Sequence, residues 1–155
     1  MAENPDYKEL LQRLNEFEAR YLIVGGYAVM KYAEPRFTKD LDVWVDNSAE
    51  NSVRVFQTLK NFGAPLESDR ITAETFTRRD LTYQIGIAPV RIDILTQITG
   101  VEFSAAWRDR VGGSIFGVPV NFISIDQLII NKQATGRSSD LEQLEHLRKK
   151  TKSGS

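Results

Sequence analysis

Along the first twenty residues apolar positions recur at helical spacing, at Leu10, Leu11, Leu14, Phe17 and Tyr21, with acids and bases between them. That period predicts an amphipathic helix, and Asn4-Pro5 supplies an N-cap followed by a first-turn proline. Tyr21 to Val24 is a short apolar run stopped by Gly25-Gly26, the pattern of a buried strand. Tyr27 to Ala33 returns to helical composition and ends ahead of Pro35. From Asp40 to Val45 the period falls to two: Leu41, Val43 and Val45 take one face of a strand, Asp40 and Asp42 the other.

Asn47-Ser48 then caps a helix whose buried side is marked by Val53, Phe56 and Leu59 and which closes at Gly63. The pattern weakens from Ala64 to Arg79, where Pro65 breaks it and Ile71 to Thr77 fits a short edge strand. Leu81 to Ile87 and Val90 to Leu95 are β-rich runs joined by a tight turn at Ala88-Pro89. Gly100 to Arg110 suits a short helix with Phe103 and Trp107 inward; Gly112-Gly113 interrupts it, and Ile115 to Ile123 reads as a second hairpin. Ser124-x-x-Gln127 and Ser139-x-x-Glu142 are capping boxes for two last helices, one from Ile125 to Ala134 and one carrying Leu141, Leu144 and Leu147. The basic, then small and polar end from Arg148 is expected to fray. Strands alternating with helices predict an α/β (α+β) fold, a mixed β-sheet flanked by helices. Residues 1–150 form one domain in this reading and 151–155 a flexible tail.

Composition adds limits rather than identity. A chain of 155 residues with 41% hydrophobic and 26% charged residues can bury a core unaided. Without cysteine, disulfides, thiolate metal sites and cysteine nucleophiles are excluded, and one histidine, His146, argues against histidine-based zinc or acid–base chemistry. Any metal must therefore be held mostly by oxygen, and oxygen-only coordination selects Mg²⁺, Mn²⁺ or Ca²⁺. A net charge of −1 gives no global field toward nucleic acid or anionic lipid. The start MAENPDYKELL lacks the features of a signal peptide and no run reaches membrane-spanning length, so a cytoplasmic protein with no membrane partner is expected.

The chemistry lies in three aspartates with aliphatic neighbours: Asp40 and Asp42 on one strand, Asp93 on another. Carboxylates held side by side repel unless a cation or proton lies between them. If the two strands are adjacent, the three can hold one or two divalent ions, about 3.5–4 Å apart in sites for phosphoryl chemistry. Gly25-Gly26, at the junction of a strand and a helix, offers backbone N–H groups and a helix dipole to a polyphosphate.

Val24-Gly25-Gly26, Asp40-Leu41-Asp42-Val43 and Ile92-Asp93-Ile94 together resemble the nucleotidyltransferase superfamily of DNA polymerase beta, over roughly Tyr21 to Leu147. The string Arg36-x-Thr38-x-Asp40-x-Asp42 and the segment Lys132 to Asp140 are most similar to small bacterial members, the minimal nucleotidyltransferases and relatives of AbiEii-type toxins. The resemblance implies that Asp40, Asp42 and Asp93 are catalytic and bind Mg²⁺, as two ions with Mn²⁺ as the substitute, Asp93 acting as or beside the general base. It implies that Gly25 and Gly26 cradle the β- and γ-phosphates, with Tyr27, Arg36, Thr38, Lys39 and Lys132 around the nucleotide. The substrates would be an NTP and an acceptor left open between a small molecule, a protein and tRNA, with a partner protein if the chain is the toxin-type half of a toxin–antitoxin pair.

Two departures qualify this. Many members place serine where this chain has Gly26, so phosphate binding would fall to backbone amides; and the helical substrate domain of larger members is not found here. Bland roles compete as well. Lys132 also suits a solvated helix face, Arg137 and Asp140 suit a mutual ion pair, and Tyr27 suits packing. The rival functions are a non-catalytic nucleotide- or partner-binding module and a small metal-dependent nuclease; the glycine pair and the near-neutral charge stand against the nuclease.

Overall fold

A computed structural model describes residues 4–33, 40–87 and 90–153. Helix α1 (Pro5–Glu16) starts at Asn4, whose side-chain oxygen accepts from the backbone N–H groups of Asp6 and Tyr7 at 3.0 and 3.1 Å. Two of the donors that a helix start leaves unpaired are thereby satisfied. Its stripe of Tyr7, Leu10, Leu11 and Leu14 is buried, while Phe17 is the C-cap and only half-buried.

The chain continues through β1 (Tyr21–Val24), α2 (Gly25–Tyr32), β2 (Asp40–Val45), α3 (Ala49–Phe62), a 3₁₀ turn at Thr75–Thr77, β3 (Thr82–Ile87) and β4 (Val90–Leu95). It closes with α4 (Phe103–Arg108), β5 (Val111–Ile115), β6 (Val118–Phe122), α5 (Ile125–Thr135) and α6 (Ser138–Ser153). All six strands join one sheet in the order β3-β4-β2-β1-β6-β5. Pairing alternates between antiparallel (β3/β4, β2/β1, β6/β5) and parallel (β4/β2, β1/β6), so the sheet is mixed, as the sequence pattern predicts.

β1 and β2 lie in the middle of this sheet, which is why Tyr21 to Val24 are buried on both faces. Leu41, Val43 and Val45 are fully buried and share one core with Ile92, Ile94, Leu10, Leu11, Leu14, Val55 and Leu59. On the opposite face of β2, beyond the two aspartates, Trp44 meets Phe103 of α4 edge-on with ring centres 5.1 Å apart.

Several expectations need correction. Ile71 to Thr77 is no strand: buried Ser52 of α3 accepts from the N–H of Phe76 (3.0 Å) and donates to the carbonyl of Ala73 (2.7 Å). The segment's backbone groups thus pair with a helix side chain instead of a sheet neighbour, and Phe76 is fully buried. Gly112 and Gly113 do not end an element but lie inside β5; a side chain at Gly113 would press on the Phe122 ring and the Lys31 ammonium. Val53 is 41% and Leu141 52% exposed, because the buried side of α3 is Asn51, Ser52, Val55, Thr58 and Leu59, and Leu144 and Leu147 carry the burial on α6. Asn51 occupies an inward position by bonding the backbone of Arg20 through both side-chain atoms and the carbonyl of Asp46. Helix α6 runs on to Ser153, past Arg148 where fraying is expected.

Candidate active site

The site forms where β1 ends and β2 and β4 begin. Parallel pairing sets Asp40 opposite Arg91 and Asp42 opposite Asp93, so period-two alternation carries Asp40, Asp42, Arg91 and Asp93 to one face. The structure therefore brings together the three aspartates onto one face, although Asp93 lies 53 residues beyond Asp40 and 51 beyond Asp42 along the chain. On the β1 side, Val24 pairs with Asp42, which delivers Gly25 to the same point.

Gly25 has φ +65°, and a Cβ built on it would overlap the Asp42 carboxylate. Glycine is thus required twice here, for the left-handed backbone and for the close approach. α2 starts at this residue, and its N-cap, Val24, offers no side-chain acceptor to the first-turn amides. Gly26 is the next residue of this turn.

Asp42 is the electrostatic centre. Burial pushes its carboxyl up from an ordinary 3.8 to about 7, and the adjacent charge of Asp93, a hydrogen bond shared with Asp93 and the charge of Asp40 push the same way. The Lys132 ammonium opposes the rise. Two carboxylates facing each other from paired strands hold a proton until a stronger cation replaces it.

Arg91 is the functional candidate that sequence reasoning missed. Its Nη2 donates to Asp40 Oδ2 at 2.8 Å, and its guanidinium flanks Asp93, with Nε 3.2 Å from Oδ1 and Nη2 3.4 Å from Oδ2. The signal was present in the alternation: Arg91-x-Asp93 on a strand puts both on one face, as Asp40-x-Asp42 does. Tyr7 also joins from α1; its hydroxyl donates to the Arg91 carbonyl (3.0 Å) and accepts from the Arg91 N–H (3.1 Å). No sequence pattern connects residues 84 apart.

The remaining expected residues divide. Lys132 is not solvated: it is 8% exposed, with Nζ 3.2 Å from Asp140 Oδ1 and its field reaching Asp42. Arg137 pairs with Asp140 at 2.8 Å, as the sequence suggests, so Asp140 serves two cations. Burial raises the Asp140 carboxyl, but hydrogen bonds from Arg137, Thr135 and Lys132 outweigh it and bring it down to about 2. Tyr27 is 6% exposed and packs edge-on against Tyr7 and Phe116, so packing is its observed role. It also borders a cavity of about 260 Å³ with Met30, Lys31, Phe116 and Phe122. Arg36, Thr38 and Lys39 lie outside the described residues.

The donor set suits a hard divalent cation: all oxygen, closely spaced, with Asp93 Oδ1 buried and lacking a hydrogen bond. In this conformation no three acidic or histidine side chains among the described residues close around one point, and Asp40 is paired with Arg91. Among the described residues no helix is long and apolar enough to cross a membrane.

Comparison with solved structures finds the same fold. The lincosamide antibiotic adenylyltransferase LnuA, in its lincomycin-bound form, is 14% identical with a TM-score of 0.58, covering 95% of this chain and 97% of that one. The antibiotic-resistance factor ANT(2'')-Ia is 16% identical with a TM-score of 0.57, covering 92% and 80%. TM1012 of Thermotoga maritima, assigned as a nucleotidyltransferase, is 13% identical with a TM-score of 0.55, covering 96% and 94%. A comparison with curated protein sequences returns no match. The family model described as a nucleotidyl transferase of unknown function (DUF2204) matches residues 3–155, so the chain belongs to that family of transferase enzymes.

Proposed function

We propose that this protein transfers a nucleoside monophosphate from an NTP to an acceptor nucleophile, with Mg²⁺ held by Asp42, Asp93 and Asp40. The single observation that carries the reading is the in-register pairing of Asp42 with Asp93 beside Gly25. A divalent ion bound there would stabilise negative charge on the attacking and leaving oxygens of an in-line displacement. The chain's own residues supply the rest. The amides at the start of α2 face the triphosphate, and Lys132, held by Asp140, adds positive charge near the departing pyrophosphate. Asp93 takes the proton of the acceptor hydroxyl, a role suited to a carboxylate with one oxygen left without a hydrogen bond. Arg36, Thr38 and Lys39 are proposed around the nucleotide on sequence grounds alone.

LnuA is a lincosamide antibiotic adenylyltransferase, and ANT(2'')-Ia is an antibiotic-resistance factor seen in complex with adenylyl-2''-tobramycin. For this chain a small hydroxylated acceptor is the first candidate; transfer onto tRNA or a protein would make it a toxin-type component instead. The test is incubation of the protein with each α-labelled NTP, Mg²⁺ and cell extract, followed by size fractionation of the label. Label entering a fraction with the parent protein, and falling by orders of magnitude with Asp93→Asn, is the expected result. Nucleotide binding without any transfer would leave a binding module, and nucleic-acid cleavage without NTP would point to a nuclease.

A further inference from the structure

Three carboxylates share one face of this site, yet one of them is engaged by a cation of the chain itself. Asp40 is held by Arg91 at 2.8 Å, a charge-assisted hydrogen bond of good length, whereas Asp93 receives only a long hydrogen bond from Arg91 Nη2 at 3.4 Å, and the Nε–Oδ1 approach at 3.2 Å leaves both of those atoms unsatisfied. The guanidinium therefore holds Asp40 by a shorter bond than Asp93. Asp42, at the remaining corner, faces Asp93 in register across the β2/β4 pair.

The surroundings permit movement of this side chain and little else. The Arg91 backbone is pinned on β4 by ladder pairing on both sides and by the Tyr7 hydroxyl on its N–H and carbonyl. Its side chain is 33% and that of Asp40 34% exposed, so the guanidinium can swing into solvent without disturbing the strand. A partly exposed ion pair of this kind is worth little, so a divalent cation can displace it.

We propose that Arg91 is the resident counter-ion of the acidic cluster: it holds Asp40 off Asp42 and competes with the divalent cation for that carboxylate, thereby setting the affinity for metal. The inference rests on the reading that these acids bind a divalent cation. Arg91 acts through Asp40 and is a positioning residue.

Mn²⁺ binding to the full chain, followed by the loss of the free-ion paramagnetic resonance signal with and without ATP, tests it. Arg91→Gln is expected to bind Mn²⁺ about tenfold more tightly than the parent, while Arg54→Gln, which removes a guanidinium from the exposed Glu50 pair on α3, leaves affinity unchanged. Adding Asp40→Asn to Arg91→Gln is expected to cancel the gain, whereas adding Glu50→Gln, which restores the same net charge away from the site, is expected to keep it. Arg91→Lys keeps the charge without the fork, should fall between parent and Arg91→Gln, and replaces the glutamine variant if that one does not fold. Equal or weaker Mn²⁺ binding by the Arg91 variants, with the parent binding Mn²⁺, overturns the competition alone. No Mn²⁺ binding by any folded variant, even with ATP, overturns the metal reading and this inference with it.

Discussion

The space a side chain would need at Gly25 is filled by the Asp42 carboxylate, and each residue explains the other. Replacing Gly25 with alanine forces a left-handed residue with a Cβ, at a cost of about 1–2 kcal/mol from the backbone alone, and drives the Asp42 carboxylate from its place. Gly25→Ala is expected to lower the urea midpoint and to abolish labelled transfer; a variant that keeps full transfer would show that the close approach is not needed. Asp42 itself should make stability pH-dependent. Its carboxyl ionises at about 7 folded against an ordinary 3.8, so between these values the folded state binds more protons and stability falls as pH rises. The contribution is complete below the ordinary value and lost once pH passes the folded one. Asp42→Asn should therefore melt higher than the parent at about pH 8 in the absence of metal, converge with it near pH 4, and lose transfer at every pH. Thermal melts across that range check this.

At the level of elements, the junction of α5 and α6 is tied by Asp140, which receives Lys132 from one helix and Arg137 from the turn between them. Here the sign is opposite: the folded carboxyl ionises at about 2 against an ordinary 3.8, so its stabilisation is present above the ordinary value and lost as pH falls toward the folded one. Asp140→Asn leaves a buried ammonium without its counter-charge, a loss of about 3–5 kcal/mol near neutral pH. The gap to the parent should narrow as the solution is acidified, which urea titrations at two pH values would reveal. The start of α5 offers a smaller test. Ser124 Oγ accepts from the Gln127 N–H at 3.3 Å, and Ser124→Ala should cost about 1 kcal/mol without altering the site.

For the whole molecule, one sheet both supports the core and carries the acids, so the two functions can be separated by face. Ile94 is fully buried on the core face of β4, next to Asp93 on the other. Ile94→Ala should lose about 2–5 kcal/mol in denaturant unfolding yet leave the affinity for Mg²⁺-NTP close to that of the parent at low temperature. Affinity that collapses in step with stability would mean that core packing sets the carboxylate geometry. Mg²⁺-NTP should in turn raise the melting temperature of the parent by mass action, and EDTA should reverse it.

Local rules were sufficient wherever a pattern and its physical cause lie within a few residues. The Asn4 and Ser124 caps, the alternation from Asp40 to Val45, the glycine pair and the hairpin before Asp93 are of this kind, because periodicity and capping act over one or two turns of chain. The segment from Ile71 to Thr77 was illegible because Ser52, remote in sequence, takes up its backbone groups. The Gly112-Gly113 pair misled because a glycine required by packing against Phe122 looks the same in a sequence as one that ends an element. Only tertiary structure decided that β2 and β4 lie side by side in the register that opposes Asp42 to Asp93, that Arg91 claims Asp40, and that Lys132 is buried on Asp140. The first two depend on long-range strand pairing and the third on the desolvation that comes where α5 and α6 pack, and neither is encoded in the spacing of residues along the chain.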